Sequence, residues 1–176
     1  MKTYWDMSSD SEKLHRRAYA GELQKCENSL KRNTTDVLSM TSDGYTALHR
    51  AAQSRSGEAS ANLCELLVRH GIPINAVALD CSTPLHCAVL DGDTYTFMRL
   101  IRLGADPTIK DINGKTPIDN YNEDDNIKEK FEVAHDAVMI LEAEKRICEL
   151  RRQVAALKAG PDGQSIILAL VNAFNK

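Results

Sequence analysis

The phrase GYTALHRAA at 44–52 returns as CSTPLHCAV at 81–89 and again as GKTPIDNYN at 114–122. Its threonines, Thr46, Thr83 and Thr116, stand 37 and then 33 residues apart. LLVRHG at 66–71 likewise returns as LIRLGADP at 100–107, each time just ahead of the next copy. A unit this short has no second surface on which to bury its apolar face, so a chain written in such units folds by stacking neighbours. A weaker copy opens at KLHRRAYAGEL, where Leu14 and His15 precede Leu48 and His49 by 34 residues and no Thr-Pro stands before them. The spacing predicts four units, at roughly 9–40, 41–77, 78–110 and 111–140.

The phrase is a helix start. Threonine caps a helix through its hydroxyl, and proline at the first helical position gives up only an amide that has no partner inside the helix. Leu48 and Leu85, with Ala51, Ala52 and Ala88 one turn later, form a narrow stripe whose small members let paired helices approach closely. Leu66 and Leu67, then Leu100 and Ile101, supply the inward face of a second helix, and Gly71 and Gly104 stand where a left-handed residue ends it. TPLHCA at 83–88, GADP at 104–107 and the 33-residue step together resemble the ankyrin-repeat family. The resemblance implies an all-α ankyrin-repeat solenoid of about four helix–turn–helix repeats with finger loops. It assigns 9–140 to the repeat domain and leaves 141–176 as a C-terminal helical extension, a long helix followed by a short terminal one.

Departures from the pattern carry expectations of their own. Ala47 replaces the proline, and four extra residues within SRSGEASAN at 54–62 read as a surface loop between the two helices of the second repeat. Cys81 stands where a glycine makes the finger turn, which predicts a tighter or strained finger. The fourth repeat has no counterpart of LLVRHG, so its second helix merges with whatever follows.

The residues that suggest chemistry read as structure. His86 and Cys87 are neighbours on an opening helical turn, where side chains diverge by roughly 100 degrees, so they do not form a nucleophile and base pair. In the family this histidine is structural, and His49 repeats it. Cys81, His86 and Cys87 lack the paired ligand spacing of a zinc site, and GKT at 114–116 lacks the first glycine of a phosphate loop, whose place Ile109 holds. Asp91 and Asp93 read as a turn and a helix start. No catalytic residue, metal site or cofactor is expected. The rival reading is an enzyme, or an enzyme's regulatory subunit, in which a Cys87 thiolate reacts.

Five cysteines, odd in number and never in a CxxC pair, fit no disulfide framework and point to a reducing compartment, cytoplasmic or nuclear. A net charge of −3 with both signs interspersed leaves no basic face for nucleic acid. The opening MKTYWDMSSDSEK contains no apolar signal core, and the longest apolar run, IILALV at 166–171, is far short of the ~20 residues a membrane span needs.

The family resemblance implies a protein partner on the concave side, where finger tips and first helices are exposed. Carried over position by position, that face comprises Ser42, Asp43 and Tyr45 in one finger, Leu79, Asp80 and Ser82 in the next, and Ile112, Asn113 and Lys115 in the third. Gln53, Ser54, Leu90 and Asp91 add the helix contribution. Tyr45, Leu79, Leu90 and Ile112 are the candidate anchors, against the plainer reading that each packs on its neighbouring finger. A chain of this size reads as an adaptor or inhibitor.

No glycine or proline interrupts the chain from the EDD run at 123–125 to Gly160, which predicts one helix of about 33 residues. Ile127, Phe131, Ala134, Val138 and Leu141 form one stripe, read as a cap on the repeats. Ala143, Ile147, Leu150, Val154 and Leu157 form a second, out of phase with the first. Either GPDG at 160–163 turns the chain back so that Ile167, Leu170, Val171 and Phe174 cover this second stripe, or 143–176 self-associates as a coiled-coil homodimer.

Overall fold

The computed structural model describes residues 10–32, 35–120 and 125–159, with side chains of the last segment described for 128–156. Helices α1 (Asp10–Tyr19) and α2 (Leu23–Leu30), α3 (Ala47–Ala52) and α4 (Glu58–Arg69), and α5 (Pro84–Leu90) and α6 (Thr94–Arg102) make three antiparallel pairs. A single 3₁₀ turn, Ile118–Asn120, and the long α7 (Asp125–Ala159) follow. First helices pack on first helices (α1 on α3, α3 on α5) and second helices on second (α2 on α4, α4 on α6). The fold is all-helical among the described residues. The chain divides between Asp136 and Ala137 into two compact units.

The core of the first unit is the predicted stripe. Leu14, Ala18, Leu48, Ala51, Ala52, Ala88 and Val89 are fully buried and Leu85 almost so, joined from the second helices by Leu63, Cys64, Leu67, Phe97 and Leu100. Leu66, expected to face inward, is only half-buried, because Leu63 and Leu67 hold the inward face one turn apart. The predicted loop at 54–62 is a correction: only Ser54–Gly57 is loop, whereas 58–62 is the first turn of α4 and buries Ser60 and Ala61. The additional residues therefore go partly into the loop, longer here (53–57) than between α5 and α6 (91–93), and partly into a helix of 12 residues, against 8 and 9 in the pairs on either side.

Each phrase threads one repeat to the next through its histidine. The Thr46 backbone N–H donates to His49 Nδ1 at 3.2 Å, and the Thr46 hydroxyl lies 2.9 Å from the same nitrogen, within a reciprocal capping box. Because Nδ1 accepts, the ring proton sits on Nε2, which donates to the Ser82 carbonyl at 3.2 Å. Thr83 and His86 repeat the arrangement, with His86 Nε2 reaching the Lys115 carbonyl at 3.2 Å. His15 reaches forward to Ser39 in the same way, but Nδ1 has no partner among the described residues, since Thr is missing and α1 already runs through residue 12.

At the far end Asp119 takes the histidine's place. It accepts from the Thr116 hydroxyl at 2.6 Å, which holds its carboxyl below the usual range. A carboxylate has no second donor to send onward, and the helix begun there lasts one turn. Phe131 of α7 closes this end of the unit, fully buried and edge-on to Phe97 with ring centroids 4.9 Å apart. The predicted short terminal helix, the GPDG turn and the residues proposed to fold back all lie outside the described residues.

Candidate protein interface

The fingers are three copies of one closed turn. Thr41 N–H bonds to Tyr45 C=O at 2.9 Å, Ala78 N–H to Ser82 C=O at 3.0 Å, and Asp111 N–H to Lys115 C=O at 2.9 Å. Each turn passes through a left-handed residue at the same place: Gly44 (φ 79°), Cys81 (φ 59°) and Gly114 (φ 76°). Cys81 thus adopts the strained backbone its position predicted. Gly44 is needed for a second reason, because a Cβ there would stand 2.9 Å from the Leu79 amide nitrogen.

Neighbouring fingers are then joined tip to tip. Leu79 N–H donates to Asp43 C=O at 3.0 Å, and Ile112 N–H to Asp80 C=O at 2.8 Å. The backbone that carries these two side chains is therefore pinned, while the side chains themselves stand 73% and 68% exposed. A finger backbone fixed in this way has already lost the conformational freedom that ordering a loop on binding would otherwise cost.

The other candidates divide into contact and support. Ser42, Asp43 and Asn113 are exposed at the tips, and Leu90 stands exposed at the end of α5. Tyr45 is half-buried: its hydroxyl donates to Asp80 at 3.1 Å, its ring meets His49 edge-on, and the Arg50 guanidinium lies 4.9 Å over it. Ser82 is buried, its hydroxyl donating to Asp80 at 2.6 Å. Burial pulls the Asp80 carboxyl upward, but the bonds from Ser82 and Tyr45 outweigh it and hold the group below the usual range. Gln53 accepts from Arg50 at 3.1 Å, Ser54 bonds to Ser60, and Lys115 gives its backbone to Asp111 and His86. Burial raises the half-buried Asp91 carboxyl.

Repeat alignment also exposes residues the sequence reading passed over. Tyr19 lies at the position of Gln53 and Leu90, four residues after each histidine, and is 50% exposed. Met40 and Val77 share a finger position and are also exposed, as is Tyr95 in the first turn of α6. Aligning the histidines alone finds Tyr19.

The arrangement offers shape and apolar contact but little reactivity. Cys87 is 2% exposed and burial pushes its thiol upward, as it does Cys64 and, to about 12, Cys26. A nucleophilic thiolate needs the opposite shift. Asp93 caps α6, accepting from Thr96 N–H at 3.1 Å and its hydroxyl at 2.9 Å. Among the described residues no group of three His, Cys, Asp or Glu could hold a metal ion, and no helix is long and apolar enough to cross a membrane.

With three helix pairs, histidine links and joined fingers, the class is a helical repeat protein. A family model for ankyrin repeats in three copies matches residues 14–117, and the chain belongs to the ankyrin-repeat family. Relatives include human BCL-6 corepressor-like protein 1, 34% identical over 58% of this chain and 6% of its own length. Mouse inactive serine/threonine-protein kinase TEX14 is 30% identical over 65% of this chain and 8% of its own length. Human ARF GTPase-activating protein GIT1 is 39% identical over 44% of this chain and 10% of its own length. The chain thus corresponds to a small part of each of these proteins.

Proposed function

We propose that the chain is a non-enzymatic adaptor or inhibitor that holds a protein partner on the concave face formed by its fingers and first helices. The observation that carries this reading is the pinned pair Leu79 and Ile112, exposed on fingers whose backbones are bonded to each other. Around them Ser42, Asp43, Asn113 and Leu90 form the contacting surface, while Tyr45, Asp80, Ser82 and Lys115 hold its shape. Residues 9–140 do the binding in this reading and 141–176 are an extension. The mixed charge of −3 supports a protein rather than a nucleic acid as partner, and five free cysteines support a reducing compartment, cytoplasm or nucleus.

The test is partner capture from native extract with the intact chain and with Leu79→Asp/Ile112→Asp, each followed by titration of the recovered partner. Both side chains are exposed, so the variant should melt like the parent. Tyr45→Ala is a poorer probe, since it removes the Asp80 bond and the His49 and Arg50 contacts and so loosens the finger itself.

A further inference from the structure

In the second unit, the part of α7 from Ala137 to Ala156 carries apolar side chains that no described residue covers: Ile140, Ile147, Leu150 and Val154 are 61, 49, 52 and 45% exposed. Their spacing is regular. Ile140, Ile147 and Val154 stand seven residues apart, and Ala143 and Leu150 follow the first two by three, so the set occupies positions a and d of a heptad. The pattern places β-branched residues at a and Leu or a small residue at d, the apolar seam of a coiled coil. Ile147, Leu150 and Val154, with Arg151 and Ala155, also line a shallow groove along the helix.

We propose that this seam pairs with the same seam of a second copy of the chain, and that the two helices run antiparallel. Charge decides the direction. Glu142–Lys145 and Glu149–Arg152 are ion pairs within the helix, on its outer side. Glu144 and Arg151, at the two e positions, are exposed and make no ion pair with a described residue. In an antiparallel pair with Ile147 opposite Leu150 and Ala143 opposite Val154, e positions face e positions. Glu144 of each copy then meets Arg151 of the other, twice over. In a parallel pair e faces g: Arg151 would meet Arg146 twice, and Glu144 would meet Met139. One direction gives two attractions and the other two repulsions. The layers fit as well, since each Val154 lies over an Ala143. Such a pair holds two concave faces in one assembly, which raises affinity for a dimeric or repetitive partner without any new contact.

Light scattering on the full chain at tens of micromolar tests the proposal. The expected mass is twice 19.5 kDa. Arg151→Glu and Glu144→Lys should each weaken association about tenfold, and the double variant should restore it. The repeats should melt alike in all four proteins, because both residues are exposed on the helix surface. A mass of 19.5 kDa at every concentration would overturn the proposal, leaving the seam to residues 164–174 of its own chain or to a foreign helix. Tighter association of Arg151→Glu would overturn the antiparallel direction, because in a parallel coil that change converts the Arg146 repulsion into attraction.

Discussion

The helix faces of the repeats and residues 139–156 contain the same kinds of apolar side chain and treat them in opposite ways. In the repeats, Leu48, Leu67 and Leu100 are fully buried because each lies on a helix that packs against the corresponding helix of a neighbouring copy. In the distal helix, Ile140, Ala143, Ile147 and Leu150 recur every three or four residues along one rod, and a straight helix cannot cover itself. A period of one repeat brings its own partner; a period of one heptad requires another chain or segment. The contrast separates what holds this protein together from what it offers to others.

Leucine truncation should show that contrast at its largest. Leu85→Ala deletes a buried side chain of α5, the helix that packs on α3 and α6, and should cost about 3 kcal/mol in thermal or urea unfolding. Leu150→Ala, in the exposed seam, should change the unfolding of the repeats by less than about 0.5 kcal/mol. Equal losses would mean that the two parts unfold as one and that the distinction fails.

The buried His49 gives the repeats a pH dependence. Burial holds the His49 ring down at about 4, so the folded chain keeps it neutral while the unfolded chain protonates it at its ordinary value near 6.5. The unfolded state therefore binds the extra proton, and stability present above pH 6.5 is lost as pH falls toward 4. The loss approaches about 3 kcal/mol at the lower end. A melting series over that interval should show the decline, and His49→Gln should flatten it. A series as steep in the variant would shift the dependence to other groups, such as His15, which burial also lowers.

The finger turns allow a finer comparison within the repeats. Gly44→Ala forces a Cβ into a left-handed residue and toward the Leu79 amide, and should cost about 2 kcal/mol. Cys81→Gly relieves the same backbone one finger later and should add about 1 kcal/mol, read as a rise in melting temperature. A stabilising Gly44→Ala would show that the joined finger tips are less tightly held than their bond lengths imply.

Much of this was legible in the sequence where one residue type has one physical use. TPLH marked the helix starts, the glycines after LLVRH and LIRL marked helix ends, and Cys81 marked the strained finger, because each depends on local backbone geometry. The additional turn of α4 was hidden because SRSGEASAN contains the small polar residues of a loop, and only the burial of Ser60 and Ala61 shows where helix begins. Ser82 read as an exposed tip residue because nothing in the sequence announces its bond to Asp80. The heptad was masked at Ile140, which falls between two stripes of different phase and gains its register only from the exposed Ile147 and Val154 beyond it.

The central claim is that the joined fingers present Leu79 and Ile112 to a protein partner. Isothermal titration of the captured partner into the intact chain and into Leu79→Asp/Ile112→Asp tests it most directly. The account predicts at least a tenfold loss of affinity with an unchanged melting temperature. Equal affinity in the two proteins would contradict it and move the binding surface off the fingers.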